Sequence, residues 1–269
     1  LHRVDRRQRQ MCIRDSSIRR RCNMNSRGKR AKAFILSITF FATALLLVFA
    51  LVYGIKYICS INDNADMPIY RVDTDEKKIA ITFDVAWGTE NINKIAEILD
   101  KHNIKATFFL VGSWVDDNKE LVKMLKEKGH EFGNHSNTHP NMKELSDEDI
   151  MNEIEITSEK ISNITGENVK LFRPPFGEVN EDVMDVCEAL DYTAVKWDVD
   201  SQDWKNLGPV HIIERVSKSV QPGSIVLFHA NSSNVEEYLD TIITQLESKG
   251  YSMVKVSDLI YKESYTINS

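Results

Sequence analysis

Residues 78–112 read KIAITFDVAWGTENINKIAEILDKHNIKATFFLVG. The stretch opens on an apolar, β-prone run at Lys78–Phe83 and passes into a helical pattern at Thr89–His102. Within that pattern Ile92, Ile95, Ala96 and Leu99 recur at the spacing of one helix face. A second apolar run follows at Ala106–Leu110. Strand, amphipathic helix and strand in immediate succession are the repeating unit of a parallel sheet with helical crossovers.

Outward from this unit the alternation continues. Further strands are predicted at Glu131–Asn134, Leu171–Arg173, Thr193–Val195, Ser224–Phe228 and Ser252–Val254. Helices are predicted at Asp116–Lys128, stopped by Gly129, and at Ser146–Thr165, opened by Ser146 and Asp149 as a capping-box-like pair and stopped by Gly166. Others are predicted at Asn180–Leu190, Val210–Val220, Val235–Lys249 and Ser257–Tyr261. Seven alternations imply an α/β fold, in which chemistry collects at the C-terminal ends of the strands. Titratable residues stand at nearly every such exit: Asp84, His135, Arg173, Asp198, Asp200 and His229.

The N-terminal part is a different object. Residues 1–59 hold 13 Lys/Arg against Asp5 and Asp15, a charge of about +11, so the rest must carry about –17 to reach the net –6. Residues 33–55, AFILSITFFATALLLVFALVYGI, carry no charge and are long enough to span a bilayer as one helix. Arg27, Lys29, Arg30 and Lys32 precede the run and only Lys56 follows it closely. This bias predicts a single-pass anchor with a cytoplasmic N-terminus and an extracytoplasmic acidic body. A buried core helix would show a polar stripe. A cleaved signal peptide usually has a shorter apolar region and an A-x-A-like site, and no such site follows this run. The organisation expected is a basic cytoplasmic leader at 1–32, the transmembrane anchor at 33–55, a polar linker at 56–76 and the body at 77–269. Translation is expected to start at Met24, leaving residues 1–23 non-native. Cys12, Cys22, Cys59 and Cys187 form neither a disulfide framework nor a CxxC metal spacing. The acidic body excludes a basic nucleic-acid footprint.

The sharpest local signal is His135-Ser-Asn-Thr-His139, two imidazoles placed to reach one cation. Alone, such a pair is a weak signal; its place after an apolar strand strengthens it. Together with ITFD at 81–84, RPPFG at 173–177, DSQDW at 200–204 and IVLFH at 225–229, it resembles the five ordered motifs of the NodB-type polysaccharide deacetylases. The resemblance covers residues 78–261 and looks closest to the sporulation-associated, PdaB-like branch. It implies a distorted (β/α)7-type barrel that removes N-acetyl groups from amino-sugar glycans of the peptidoglycan or spore-wall type.

By that resemblance Asp84 is the general base, His229 the general acid, Arg173 the residue that orients Asp84, and Asp200 the carboxylate paired with His229. Phe176, Trp204 and Leu227 wall the acetyl pocket and support the sugar. His135 and His139 hold a divalent metal, zinc or else cobalt or nickel. Each of these also has a plain structural reading, an N-cap for the acids and ordinary core packing for the apolar residues. The family's first motif usually reads Asp-Asp; here it is Asp84-Val85, which removes the third metal ligand. An apolar residue there, followed by Trp87-Gly88, looks typical of the sporulation-type branch. Two functions therefore remain open: an N-deacetylase with an altered site, or a catalytically impaired glycan-binding or structural envelope protein on the same fold.

Overall fold

The computed structural model describes residues 67–260 and four positions near residue 45, namely 43, 45, 48 and 49. The expected leader, most of the anchor and linker residues 56–66 lie outside the described residues. Among the described residues no helix is long and apolar enough to cross a membrane. The chain divides into two compact units, Leu1–Asp63 and Asn64–Ser269. The account below concerns the second.

Eight strands form one sheet: β1 (Lys78–Val85), β2 (Thr107–Leu110), β3 (Glu131–Asn134), β4 (Leu171–Phe172), β5 (Thr193–Ala194), β6 (Val199–Asp200), β7 (Ile225–His229) and β8 (Ser252–Val254). Every pairing is parallel, in the order β5-β4-β3-β2-β1-β7-β6, with β8 paired to the start of β1. The seven predicted strands are all present. The eighth, β6, was not foreseen: it follows β5 closely, with no helix between them to mark a separate strand.

Among the described residues no ladder joins β5 to β6, so the sheet is curled rather than a closed barrel. The segment just before β1 lies across that side. Ile69 bridges Val195 and Arg71 bridges Ser224. Gly223 makes this crossing feasible, since a Cβ there would sit 1.8 Å from the Val72 carbonyl oxygen.

Around the sheet lie α1 (Ile92–Lys101), α2 (Gly112–Asp117), α3 (Lys119–Glu127), α4 (Asp147–Thr165), α5 (Glu181–Ala189), α6 (Pro209–Ser219), α7 (Val235–Ser248) and α8 (Val256–Ile260). The helix expected at 116–128 is two helices, broken at Asn118, whose side-chain amide bonds the Trp114 carbonyl. In α4 the Ser146 hydroxyl accepts from the Asp149 N–H and donates to its carboxylate, and Gly166 ends the helix at φ 70°. An L side chain adopts that left-handed conformation only at a cost.

β1 sets the geometry of the site. Its side chains alternate between the two faces of the sheet. Ile79, Ile81, Phe83 and Val85 enter the large core shared with α1 and α7, while Ala80 belongs to the separate core that holds Phe109, Val195 and Ile225. Thr82 and Asp84 share the parity of Ala80 and so face the inside of the curl. A buried strand with apolar residues on one face and two polar ones on the other must find partners for those two inside.

Candidate active site

The partner is Arg173, which is fully buried. Its Nη1 donates to Asp84 Oδ1 at 2.8 Å and to Thr82 Oγ1 at 2.8 Å. Nη2 donates to the Lys196 carbonyl at 2.9 Å and Nε to the Val195 carbonyl at 3.3 Å. The guanidinium lies 4.0 Å from the Phe109 ring centroid. Gly133, the register partner of Phe109 on β3, leaves that ring its space: an added Cβ would fall 2.3 Å from it. A buried cation with this many acceptors is fixed in place. Burial works to raise the Asp84 pKa, but the charge of Arg173, with His135 and His229 nearby, holds it below the ordinary carboxylate value.

Parallel register puts Asp84 beside His229, since β1 residue 84 pairs with β7 residue 229. The His229 Nδ1 lies 2.8 Å from Asp203 Oδ1, and its backbone N–H donates to Asp203 Oδ2 at 2.8 Å. Burial opposes an imidazolium there, yet the bond and charge of Asp203, with Asp84 and Asp200, leave the His229 pKa raised.

This corrects the sequence reading, which paired His229 with Asp200. Asp200 lines the same cleft, but its Oδ1 accepts the Gln202 N–H at 2.8 Å, closing a local turn. The motif DSQDW offers two acids, and only the 3₁₀ turn at Asp203–Lys205 decides that the second one, fully buried, points at the histidine. Asp198 is spent on structure, accepting from the Ser224 hydroxyl and the Ile225 N–H.

On the other side of Asp84, His135 follows β3. Its Nδ1 stands 2.7 Å from the Arg173 carbonyl oxygen, which can only accept, so that nitrogen carries the proton. Its Nε2 faces Asp84 Oδ2 at 3.5 Å, and burial lowers the His135 pKa despite that carboxylate. The His139 ring stands 4.9 Å from that of His135, flanked by Trp87 at 5.0 Å and Phe176 at 4.7 Å. Burial, and His135 beside it, push the His139 pKa down to about 4. Phe176 reaches this place through the Pro174-Pro175 turn and an unusual φ of 59°, the kind of backbone strain that clusters at functional sites.

A cleft of about 460 Å³ gathers these groups. It is lined by Asp84, His135, His139, Phe176, Asp200, Trp204, Leu227 and His229, all anticipated from the sequence, with Arg173 buried behind Asp84. Trp87, Trp197 and Asn231 also line it and were not assigned roles. A tryptophan two residues beyond a predicted strand, as at 197, was the available signal.

The side chains around the cleft do not complete a divalent-metal site among the described residues. Val85 is fully buried in the core on the opposite face of β1 and does not line the cleft. Among the described residues no group of three or more His, Cys, Asp or Glu side chains is arranged to hold an ion. Two imidazoles alone do not make a closed divalent site.

A carboxylate whose ionised form is favoured and an imidazole whose protonated form is favoured are register neighbours at the strand ends of a curled (β/α) sheet. The chain belongs to the polysaccharide deacetylase family, whose model matches residues 71–195. It is 33% identical over 204 residues to the peptidoglycan-N-acetylmuramic acid deacetylase PdaA of Bacillus subtilis, covering 74% of this chain and 78% of that protein. It is 37% identical over 193 residues to the uncharacterized protein YlxY of Bacillus subtilis, which spans 72% of this chain but only 60% of YlxY. Among solved structures, a CE4 family pseudoenzyme from Bacillus anthracis superposes with a TM-score of 0.70 at 40% identity, over 72% of this chain and 69% of that one. A mutant of that pseudoenzyme is described as having restored enzymatic activity.

Proposed function

We propose that this protein hydrolyses the N-acetyl amide of amino-sugar glycans of the peptidoglycan or spore-wall type. The observation that carries the reading is the opposite protonation bias of two register neighbours, Asp84 and His229. Groups whose environments drive their pKa values apart take the roles of base and acid. Asp84 Oδ2, the oxygen not bonded to Arg173, takes a proton from water as that water attacks the acetyl carbonyl. His229 then donates its proton to the amine nitrogen as the C–N bond breaks, releasing acetate and a free amino sugar. Asp203 holds the imidazole in the orientation that leaves its other nitrogen free for the transfer. Trp87, Phe176, Trp197 and Trp204 offer ring faces to the C–H faces of a sugar. The apolar run at 33–55, with its basic flank, supports placing this chemistry outside the membrane, and the Trp87-Gly88 variant supports a role in sporulation.

A second reading is glycan binding without turnover. It is favoured by Val85, which cannot serve as a ligand, and by the likeness to a protein described as a pseudoenzyme.

One assay separates the two: acetate release and binding, measured on N-acetylglucosamine oligomers and on purified peptidoglycan. Release that is lost in Asp84→Asn and His229→Ala supports hydrolysis. Binding without release supports the second reading, and the absence of both overturns each.

A further inference from the structure

β5 ends at Ala194, and the two residues after it reach the site through their backbone. The Val195 carbonyl accepts from Arg173 Nε at 3.3 Å and the Lys196 carbonyl from Nη2 at 2.9 Å. Together with Asp84 and Thr82 on Nη1, these carbonyls decide where the guanidinium lies. Lys196 itself stands two residues beyond the last ladder pair of β5, so the sheet alone does not hold it.

On one side the Val195 N–H donates to the Phe172 carbonyl of β4 at 2.8 Å. On the other side runs the segment that crosses the open edge of the sheet. The Ile69 N–H donates to the Ala194 carbonyl and the Ile69 carbonyl accepts the Lys196 N–H, both at 2.8 Å, so residue 69 straddles Val195. The Lys196 ammonium lies 4.7 Å from the Tyr70 ring centroid. The far end of the segment is fastened before β7. There the Val72 N–H donates to the Gly223 carbonyl at 3.0 Å, and Arg71 Nη1 to the Pro222 carbonyl at 3.4 Å. Ile69 and Val72 are buried in the core that also holds Phe109 and Val195. A segment leading into a domain is ordered only where it is tied down, and this one is tied at both ends.

We propose that residues 69–72 are a positioning element for the candidate base. Three hydrogen bonds make the relay: Lys196 N–H to the Ile69 carbonyl, Arg173 Nη2 to the Lys196 carbonyl, and Arg173 Nη1 to Asp84. Ile69 is the positioning residue, and it acts through its backbone. The hold on Arg173 stands on geometry alone, whereas its bearing on turnover rests on the hydrolase reading above.

Two substitutions at one position separate positioning from plain stability. Ile69→Pro deletes the N–H that binds Ala194. Ile69→Ala keeps both backbone bonds and gives up only apolar burial. The measurements, on the full chain, are solvent exchange of the Arg173 Nε–H by NMR and steady-state acetate release from N-acetylglucosamine oligomers. Ile69→Pro should exchange that proton about tenfold faster and lower kcat about tenfold with KM unchanged. Ile69→Ala should lower the melting temperature yet leave exchange and kcat as in the wild type. Unchanged exchange in Ile69→Pro, or equal acceleration in both variants, would overturn the positioning role. If Ile69→Pro does not fold, the wild type decides. Its Lys196 N–H and Arg173 Nε–H are expected to open together, and before the Phe83 N–H of β1. An Arg173 proton that opens with Phe83 would overturn the proposal. Faster exchange in Ile69→Pro, with no acetate released even by the wild type, would support the clamp and overturn the hydrolase reading.

Discussion

Asp203 grips His229 at two points, one carboxylate oxygen 2.8 Å from the ring Nδ1 and the other accepting the backbone N–H of the same residue at 2.8 Å. The two contacts fix the carboxylate against the imidazole and so favour one ring orientation, the one that the proposed general acid requires. The raised pKa of His229 depends on this grip outweighing burial. Asp203→Asn should therefore lower the pH at which the His229 ring titrates by NMR, while Asp200→Asn should move it much less. By linkage, the stability that the grip contributes is fully present below the unfolded value near 6.5. It is lost as pH rises through the folded value, so the variant should differ most from wild type on the acid side. An unmoved titration in Asp203→Asn would remove the pairing from the mechanism.

Arg173 and Asp84 form a buried ion pair, and removing one member strands the other. Arg173→Met should cost about 3–5 kcal/mol of unfolding free energy at neutral pH. Asp84 has a depressed folded pKa, so its contribution is present above the unfolded carboxylate value and lost as pH falls through the folded one. The gap between wild type and variant in urea unfolding should narrow below about pH 4. A loss under 1 kcal/mol at pH 7 would show that the pair is dispensable.

Gly133 is needed for the ring that backs Arg173. Gly133→Ala would drive a Cβ into Phe109 at 2.3 Å, and the backbone of β3 cannot retreat from its ladder. The expected loss is about 1–3 kcal/mol, as for other overpacked cores. Combining it with Phe109→Leu should recover part of that loss. A thermal melt identical to wild type would mean that the ring has another place to go.

His130, at the start of β3, is buried against Phe108 with no partner for its Nε2, and burial pushes its pKa down to about 4. A histidine with a depressed folded pKa leaves stability intact above its unfolded value near 6.5 and erodes it as pH falls toward 4. The protein should lose on the order of 1–2 kcal/mol between pH 7 and pH 5 from this group, and His130→Leu should flatten that slope. Equal slopes for the two proteins would place the acid sensitivity elsewhere.

Two imidazoles without a third side-chain donor should hold zinc weakly. A closed site at hundredfold ligand excess would add about 2.7 kcal/mol of stability. The expectation is a melting temperature that 100 µM zinc barely raises, in the wild type and in His135→Ala alike. A rise of several degrees that disappears in His135→Ala would show that a further donor completes the site.

Most of the elements were legible in the linear pattern. The face of Ile92, Ile95, Ala96 and Leu99, the Ser146 cap and the Gly166 stop are local, and a strand with both faces buried announces itself as an apolar run. What escaped were features that no period marks: β6, which follows β5 with no helix between, the break at Asn118, and the crossing of residues 69–71. At the site, eight of the predicted side chains line one cleft and Arg173 lies behind it. The error was Asp200 for Asp203, a choice that depends on which way a single turn faces. Trp87, Trp197 and Asn231 went unassigned because their roles come from neighbours distant in the chain.

The sequence by itself determined which residues stand at the strand exits, because side-chain alternation and helix spacing follow from backbone geometry within a few residues. Only the tertiary structure decided which acid meets His229, and that Val85 turns into the core while Asp84 turns to the cleft. Those outcomes are set by strand register and by turns that bring residues tens of positions apart within 3 Å, and no local pattern encodes that distance.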